Sequence, residues 1–506
     1  MNEQNISKSF ASKARDLFWP IYGSEHKIWL PMATMVGLIL FNYTVARNVK
    51  DGLVVTATGS SEVIPYLKVT LVLPAAFIFF FVYSKLVHML NKRTVFYVVV
   101  GGFLAFFVFF AAVLYPLHNV LHPTTSADAL QAWLPAGFKG LVDVYRVWTF
   151  SLFYVASELW GAAVSALMFW QFANDVIPVA NAKRWYAHFY LLANVFVAFS
   201  GVVVNRLARV QEGLPAGVDP WGRSITYLTI VLTTCGIIVL ALYYYLNKSV
   251  FTPAYLAEVE SQRKQKPKKD KVKLSTLDGI KHIMRSSYLG LIALLVICYG
   301  VTINLVEVSW KNQVGQQFKT GNEYTAFMGY LSSSTGIATI ICIFMGSILV
   351  RKLGWRFAAL ATPVMLGGTG ILFYLCVVTP DVVSPLGLLF GISPLFLGVI
   401  LGLVQNVLSK SIKYALFDPT KEMAYIPLDE ESKSVGKAAI DVVANRFGKS
   451  GGGMIQMVLF AFVGPLSVIV PHLAVIFAGF ILIWVIAVGA LSKKFEKAVQ
   501  AQEVGE

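Results

Sequence analysis

Twelve stretches of roughly twenty predominantly apolar residues recur along the chain, and that is the length a helix needs to cross the ~30 Å hydrocarbon core of a bilayer. They fall near 28–46, 63–83, 95–115, 144–172, 186–207 and 225–246, then 286–308, 325–350, 355–378, 384–411, 436–463 and 466–491. A soluble fold would have to hide all of them at once. With 57% hydrophobic and 14% charged residues, against about 25% charged in an ordinary soluble domain, the polar surface for that is missing. The fold class expected is an all-α polytopic membrane protein, with twelve transmembrane helices in two six-helix halves.

The segment 247–285 separates the sixes and carries Arg263, Lys264, Lys266, Lys268, Lys269, Lys271 and Lys273, so it reads as a solvated basic linker. The organisation expected is thus an N-terminal tail (1–27), a first half (28–246), the linker (247–285), a second half (286–491) and a C-terminal tail (492–506). With the N-terminus inside, thirty of the 42 lysines and arginines gather on that face, counting the run from Lys410 to Lys437 there. This predicts both termini in the cytoplasm. Positive loops facing anionic lipid account for the net charge of +15 without nucleic acid as a partner. The partners expected are the bilayer and a small solute, with the chain a monomer. Cys235, Cys298, Cys342 and Cys376 lie far apart in apolar runs, which excludes a CxxC pair or a zinc site, and no cofactor is expected. The N-terminal residues show neither an apolar core nor a small-residue cleavage site, so neither a signal nor a transit peptide is read there. The halves echo each other, with Leu90, Asn91, Lys92 and Arg93 matching Leu353, Gly354, Trp355 and Arg356 as short basic turns. Parallel halves of this kind resemble the major facilitator architecture, in which the substrate site lies near the midplane.

A charge at the centre of a membrane helix costs about 2.5–3.5 kcal/mol on insertion scales, so each needs a partner, a wet cavity or a ligand. The candidates are Arg47, Lys50 and Asp51 in the first span, Glu158 in the fourth, Glu307 in the seventh, and Asp441, Arg446 and Lys449 in the eleventh. Helical spacing aligns Tyr43, Arg47 and Lys50 on one face, as it does Asn304, Glu307 and Lys311, then Asp441, Asn445 and Lys449, and also Tyr154 and Glu158. Snorkelling to the interface is the plain alternative for Arg47 and Lys50, and a structural ion pair for Glu158. Gly448-Lys449-Ser450 is no phosphate-binding loop, since Val443 stands where that motif needs glycine and no strand precedes it. Gly451-Gly452-Gly453 and Gly161-Ala162-Ala163 read as small-residue patches that let helices approach closely.

Four stretches, Ala46-Arg47-Asn48-Val49-Lys50-Asp51, Ser157-Glu158-Leu159-Trp160-Gly161, Glu307-Val308-Ser309-Trp310-Lys311 and Asn445-Arg446-Phe447-Gly448-Lys449-Ser450-Gly451-Gly452, resemble the ATP/ADP translocase (nucleotide transporter) family of plastids and obligate intracellular bacteria. The resemblance spans nearly the whole chain. It implies exchange of ATP for ADP, with phosphate as a further cargo, and points to Lys50, Glu158, Glu307 and Lys449 as important for transport. A proton-coupled importer of nucleoside triphosphates or another organic phosphate is the alternative. Without a transit peptide the bacterial branch is favoured, and so the inner membrane. On chemistry, Lys50, Arg446 and Lys449 suit the phosphates, Arg47 is a further substrate-binding candidate, and Tyr43, Tyr154, Trp160, Asn194 and Asn445 are open choices for the adenosine. Glu158 and Glu307 would neutralise the empty cavity until phosphate oxygens displace them.

Overall fold

A computed structural model describes residues 21–210, 214–215, 217–264, 286–389, 391–429, 436–437 and 440–505. Among these residues there is no strand, and eleven helices are long and apolar enough to cross a membrane. In chain order they are α1 (His26–Thr58), α2 (Val63–Met89), α3 (Lys92–Leu114), α4 (Trp148–Val176), α5 (Arg184–Ala208), α6 (Pro220–Val250), α7 (Ser287–Gln317), α8 and α9 (both within Gly321–Val378) and α10 (Pro394–Ala424). After α11 comes α12 (Leu466–Gln500). Between these last, α11 (Asn445–Phe462) continues a π-helical turn over Ile440–Ala444; it is the most polar of the twelve, opening on Asn445, Arg446 and Lys449. The helices alternate in direction. One end of the bundle, here the terminal face, therefore carries the start of α1 and the end of α12, and the other is the distal face.

The turns have local causes. Asn91 caps α3 by accepting from the Thr94 amide at 2.8 Å. Gly354, at φ 79° and ψ 175°, is the one break in Gly321–Val378 and separates α8 from α9; a side chain there would be strained, because that region is essentially reserved for glycine. Two boundaries differ from expectation. The tenth span begins at Pro394, ten residues later than 384, because Ser393 caps it through the Phe396 amide and Pro394 takes the first turn. The residues Pro380–Leu389 form a separate helix. This shift moves Lys410 and Lys413 off the terminal face and into the middle of α10. The stretch between α3 and α4 folds into short helices, among them Thr124–Trp133 and Lys139–Arg146. Of the segment read as linker, Pro253–Lys264 is a helix whose Tyr255 hydroxyl donates to the Val176 carbonyl at 3.1 Å; residues 265–285 lie outside the described residues.

The halves are fastened to each other toward the distal face. Ser61 donates to the Val308 carbonyl at 2.8 Å, Glu62 accepts from the Leu466 amide at 2.8 Å, and Asn205 donates to the Ala326 carbonyl at 2.9 Å. Glu62 thereby satisfies an amide at the start of α12 that would otherwise be buried unpaired. Tyr66 stacks on Phe460 at 6.2 Å and donates to the carbonyl of Gly137, which itself packs on the Phe460 backbone. Helices α5 and α8 cross where Gly201 faces Gly329 and Ser333, so closely that a Cβ on Gly201 would fall 2.4 Å from the Gly329 oxygen. Backbones approach this way in membranes because packing, not hydrophobicity, joins the helices. Gly201→Leu is expected to destabilise the fold by about 1–3 kcal/mol, as overpacking does, read as a lower melting temperature in detergent.

Candidate substrate site

Eight charged side chains from five helices meet between the halves. The Lys50 ammonium, in α1, lies 3.0 Å from Asp51 and 3.1 Å from Glu158 of α4, and 3.5 Å above the Tyr154 ring. Its side chain is only 2% exposed, so the cation has exchanged water for two carboxylates and a π face. Lys311, in α7, sits 2.9 Å from the other Asp51 oxygen, without hydrogen-bond alignment, and 3.4 Å from Glu307 one turn back. Glu307 is shared further, with Lys410 of α10 at 3.5 Å and Lys68 of α2 at 3.7 Å. Lys68 also donates to Asn304 at 2.7 Å. Arg47 completes the set, its guanidinium 5.9 Å from the Tyr43 ring centre. That ring in turn occupies the space a Cβ on Gly161 would need, 2.4 Å away.

Five cations thus face three carboxylates. Within the first half Arg47, Lys50 and Lys68 outnumber Asp51 and Glu158 by one, and within the second Lys311 and Lys410 outnumber Glu307 by one. Two pairs cross from half to half, Asp51 with Lys311 and Lys68 with Glu307. If the halves part at this level, Lys311 keeps Glu307 and Asp51 keeps Lys50, so neither half is left with a stranded carboxylate. Glu158, Lys68 and Lys410 remain 27%, 21% and 17% exposed, although Glu158 and Lys410 lie deep in their spans. Space therefore remains beside these three groups even though contacts on the distal side fasten the halves. Positive charge in excess among low-dielectric helices suits an anion that brings several negative charges at once.

Lys50, Glu158, Glu307, Arg47 and Tyr154 are therefore brought together. The Tyr154 hydroxyl is buried with no hydrogen-bond partner among the described residues. Asn194 stands apart, its amide donating along its own helix to Tyr190 and its carbonyl facing Gly336 of α8. Arg446 and Asn445 are exposed on α11, the guanidinium 5.5 Å from the Phe77 ring of α2. Lys449 belongs to the same helix, and its side chain lies outside what the structure describes. The glycines around it let α11 lie against α7, Gly448 over Val296 and Gly300 and Gly452 over Asn304. Sequence reasoning missed Lys68 and Lys410, the latter through the misplaced start of α10. It named Asp51 as a candidate charge and put Lys311 on the Glu307 face, without giving either a role at the site. The signal for Lys68 was its position only five residues into a span. The helix widens into π turns beside several of these groups, at Leu67–Val72 around Lys68, Gly161–Met168 after Glu158 and Lys413–Phe417 after Lys410, a feature frequent at functional sites.

A two-half helical bundle holding a charged central cleft is the construction of a secondary transporter, and solved structures agree on the fold. The chain superposes on a bacterial homologue of the iron transporter ferroportin with a TM-score of 0.57 at 12% identity, covering 92% of this chain and 99% of that one. A D-xylose-proton symporter gives 0.54 at 12% identity, covering 92% and 97%. The architecture is thus major-facilitator-like, and the transporter family that the sequence matches makes the protein a carrier rather than an enzyme. Residues 4–495 match the TLC ATP/ADP transporter family, and the chain belongs to it. Among its relatives are ADP,ATP carrier protein 1 of Chlamydia muridarum, 47% identical over 99% of this chain and 94% of the relative, and ADP,ATP carrier protein 1 of Rickettsia prowazekii, 38% identical over 98% and 99%. The chloroplastic ADP,ATP carrier protein 2 of Arabidopsis thaliana is 42% identical over 94% of this chain and 76% of its own.

Removing the shared carboxylate should expose the charge imbalance. Asp51→Asn leaves Lys50 and Lys311 facing a neutral partner, and unpairing a buried ion of this kind costs about 3–5 kcal/mol. The ligand-free variant is expected to melt at lower temperature than the wild type, and inorganic pyrophosphate to raise its melting temperature by more than it raises that of the wild type.

Proposed function

We propose that this protein exchanges ATP for ADP across a membrane by alternating access, with phosphate as a further cargo. The observation that carries this reading is the excess of buried cations over carboxylates in a cleft between two halves, in a chain whose relatives are named ADP,ATP carriers. The polyphosphate engages Lys50, Lys68, Lys311 and Lys410, with Arg47, Arg446 and Lys449 nearer the mouth, and its oxygens take over from Glu158 and Glu307 as the partners of these cations. Tyr154 supports Lys50 through its ring face, and Asn194 and Asn445 are assigned to contacts with the nucleotide during its passage. Glu158 and Glu307 hold the empty site neutral enough to fold and yield when the anion arrives.

Exchange, as opposed to one-way flow, needs an empty carrier that seldom reorients. Asp51–Lys311 and Lys68–Glu307 span the halves and must break for the distal side to open, and the bound nucleotide stabilises the passage by supplying replacement charge to both halves. The terminal face is the cytoplasmic one, from the distribution of basic residues, and the membrane is the inner membrane of a bacterium, in which the chain works as a monomer.

The test is uptake of labelled ATP by reconstituted vesicles preloaded in turn with ADP, ATP, AMP, GTP or buffer, with and without a pH gradient. ADP or ATP inside is expected to accelerate uptake, buffer is not, and the pH gradient is expected to change neither rate; uptake driven by the gradient into unloaded vesicles would mean proton coupling instead. Lys50→Ala and Lys449→Ala should weaken nucleotide binding about ten- to a hundredfold, the scale of a lost charge-assisted hydrogen bond, while Glu158→Gln impairs exchange more than binding. Retained exchange in Lys449→Ala vesicles would remove that lysine from the site.

A further inference from the structure

One aromatic pair joins the two halves on the terminal side of the charge cluster. Tyr190 of α5 and Tyr414 of α10 have ring centres 6.5 Å apart with planes inclined by 32°. Both rings are large, yet 43% and 46% exposed, and they meet across the boundary between the halves. Tyr190 is braced from behind by Trp170 of α4, stacked at 5.1 Å and 24°, so it presents a stiff platform. Tyr414 is braced by Lys413, whose ammonium lies 4.7 Å from the ring centre and 2.8 Å from Asp418.

We propose that Tyr190 and Tyr414 clamp the base of the nucleotide, one ring from each half; this inference rests on the function proposed above and assigns the end of the substrate that the cations do not hold. The spacing sits at the far limit of a direct aromatic pair, about 4.5–7 Å. It is close to twice the roughly 3.4 Å step between stacked bases in a duplex, so turning the rings out of their 32° tilt makes a slot for one planar ring. The position along the helices fits as well. Tyr414 follows Lys410 by four residues, about 6 Å along the axis toward the terminal side. The phosphates on the cations and the base between the tyrosines then lie along one line running from the fastened distal side toward the terminal side. Because the clamp draws one ring from α5 and the other from α10, an inserted base bridges the halves at the terminal end just as the phosphates bridge them deeper in. Stacking recognises the π face that every base offers, without reading its hydrogen-bonding edge. The clamp therefore distinguishes a nucleotide from a bare polyphosphate far more than one base from another.

The experiment displaces labelled ATP from purified full-length protein with unlabelled ATP and, separately, with tripolyphosphate, which has the phosphates and no base. In Tyr190→Ala and Tyr414→Ala the affinity for ATP should fall about tenfold or more, the usual effect of deleting a stacking ring. Tripolyphosphate affinity should be unchanged, which also shows that the variants are folded. Tyr190→Phe and Tyr414→Phe, which keep the π face, should bind ATP as the wild type does, and the ratio of ATP to GTP affinity should not move in any variant. Alanine variants that bind ATP normally, or that lose ATP and tripolyphosphate equally, overturn the clamp while leaving the transport reading standing. A wild-type protein that holds tripolyphosphate but not ATP overturns both.

Discussion

The structure depends on the sharing of three carboxylates among five cations at the meeting of the two halves. Each ammonium taken from water into this region is a liability of several kcal/mol unless its replacement partners are close and well arranged. Asp51 between Lys50 and Lys311, and Glu307 among Lys68, Lys311 and Lys410, meet that condition while leaving positive charge over. Much of the surrounding packing serves to hold these groups in register. Gly161 makes room for the Tyr43 ring under Arg47, and Gly402 makes room for Trp310, whose indole donates to the Val399 carbonyl at 2.8 Å and so ties α7 to α10.

The same arrangement ties binding to movement. Because two of the ion pairs join the halves and the others lie within one half, separating the halves exchanges partners instead of abandoning them. The fastening at the distal side adds contacts other than ion pairs, the Glu62 carboxylate accepting from the Leu466 amide and the Tyr66 ring stacking on Phe460. A ligand that engages both halves competes with the crossing pairs and with the Glu158 and Glu307 contacts inside each half. The proposed base clamp extends this logic to the terminal side, so that one elongated anion reaches a pair of opposed groups at each of its ends.

The membrane class and the twelve helices were legible because hydropathy acts through composition and length, which a window along the chain reports directly. Lys50 and Glu158 were legible for the same reason, being charges in apolar surroundings. Lys410 was not, because its depth depends on where α10 starts, and the apolar run from 384 conceals the break made by Ser393 and Pro394. The polarity of α11 blurred its own outline in the same way, and Asn194, polar and mid-span, turned out to be satisfied by its own helix.

Amino-acid order alone determined that the chain spans a bilayer as helices and that several charges would be buried there, since both follow from the cost of placing polar groups in hydrocarbon. Which cation answers which carboxylate was decided only by tertiary structure. Lys311 meets Asp51 from 260 positions away, and Lys68 reaches Glu307 across the interface between halves. Such partnerships are fixed by how helices cross and rotate against one another, and periodicity within a single helix carries no information about that.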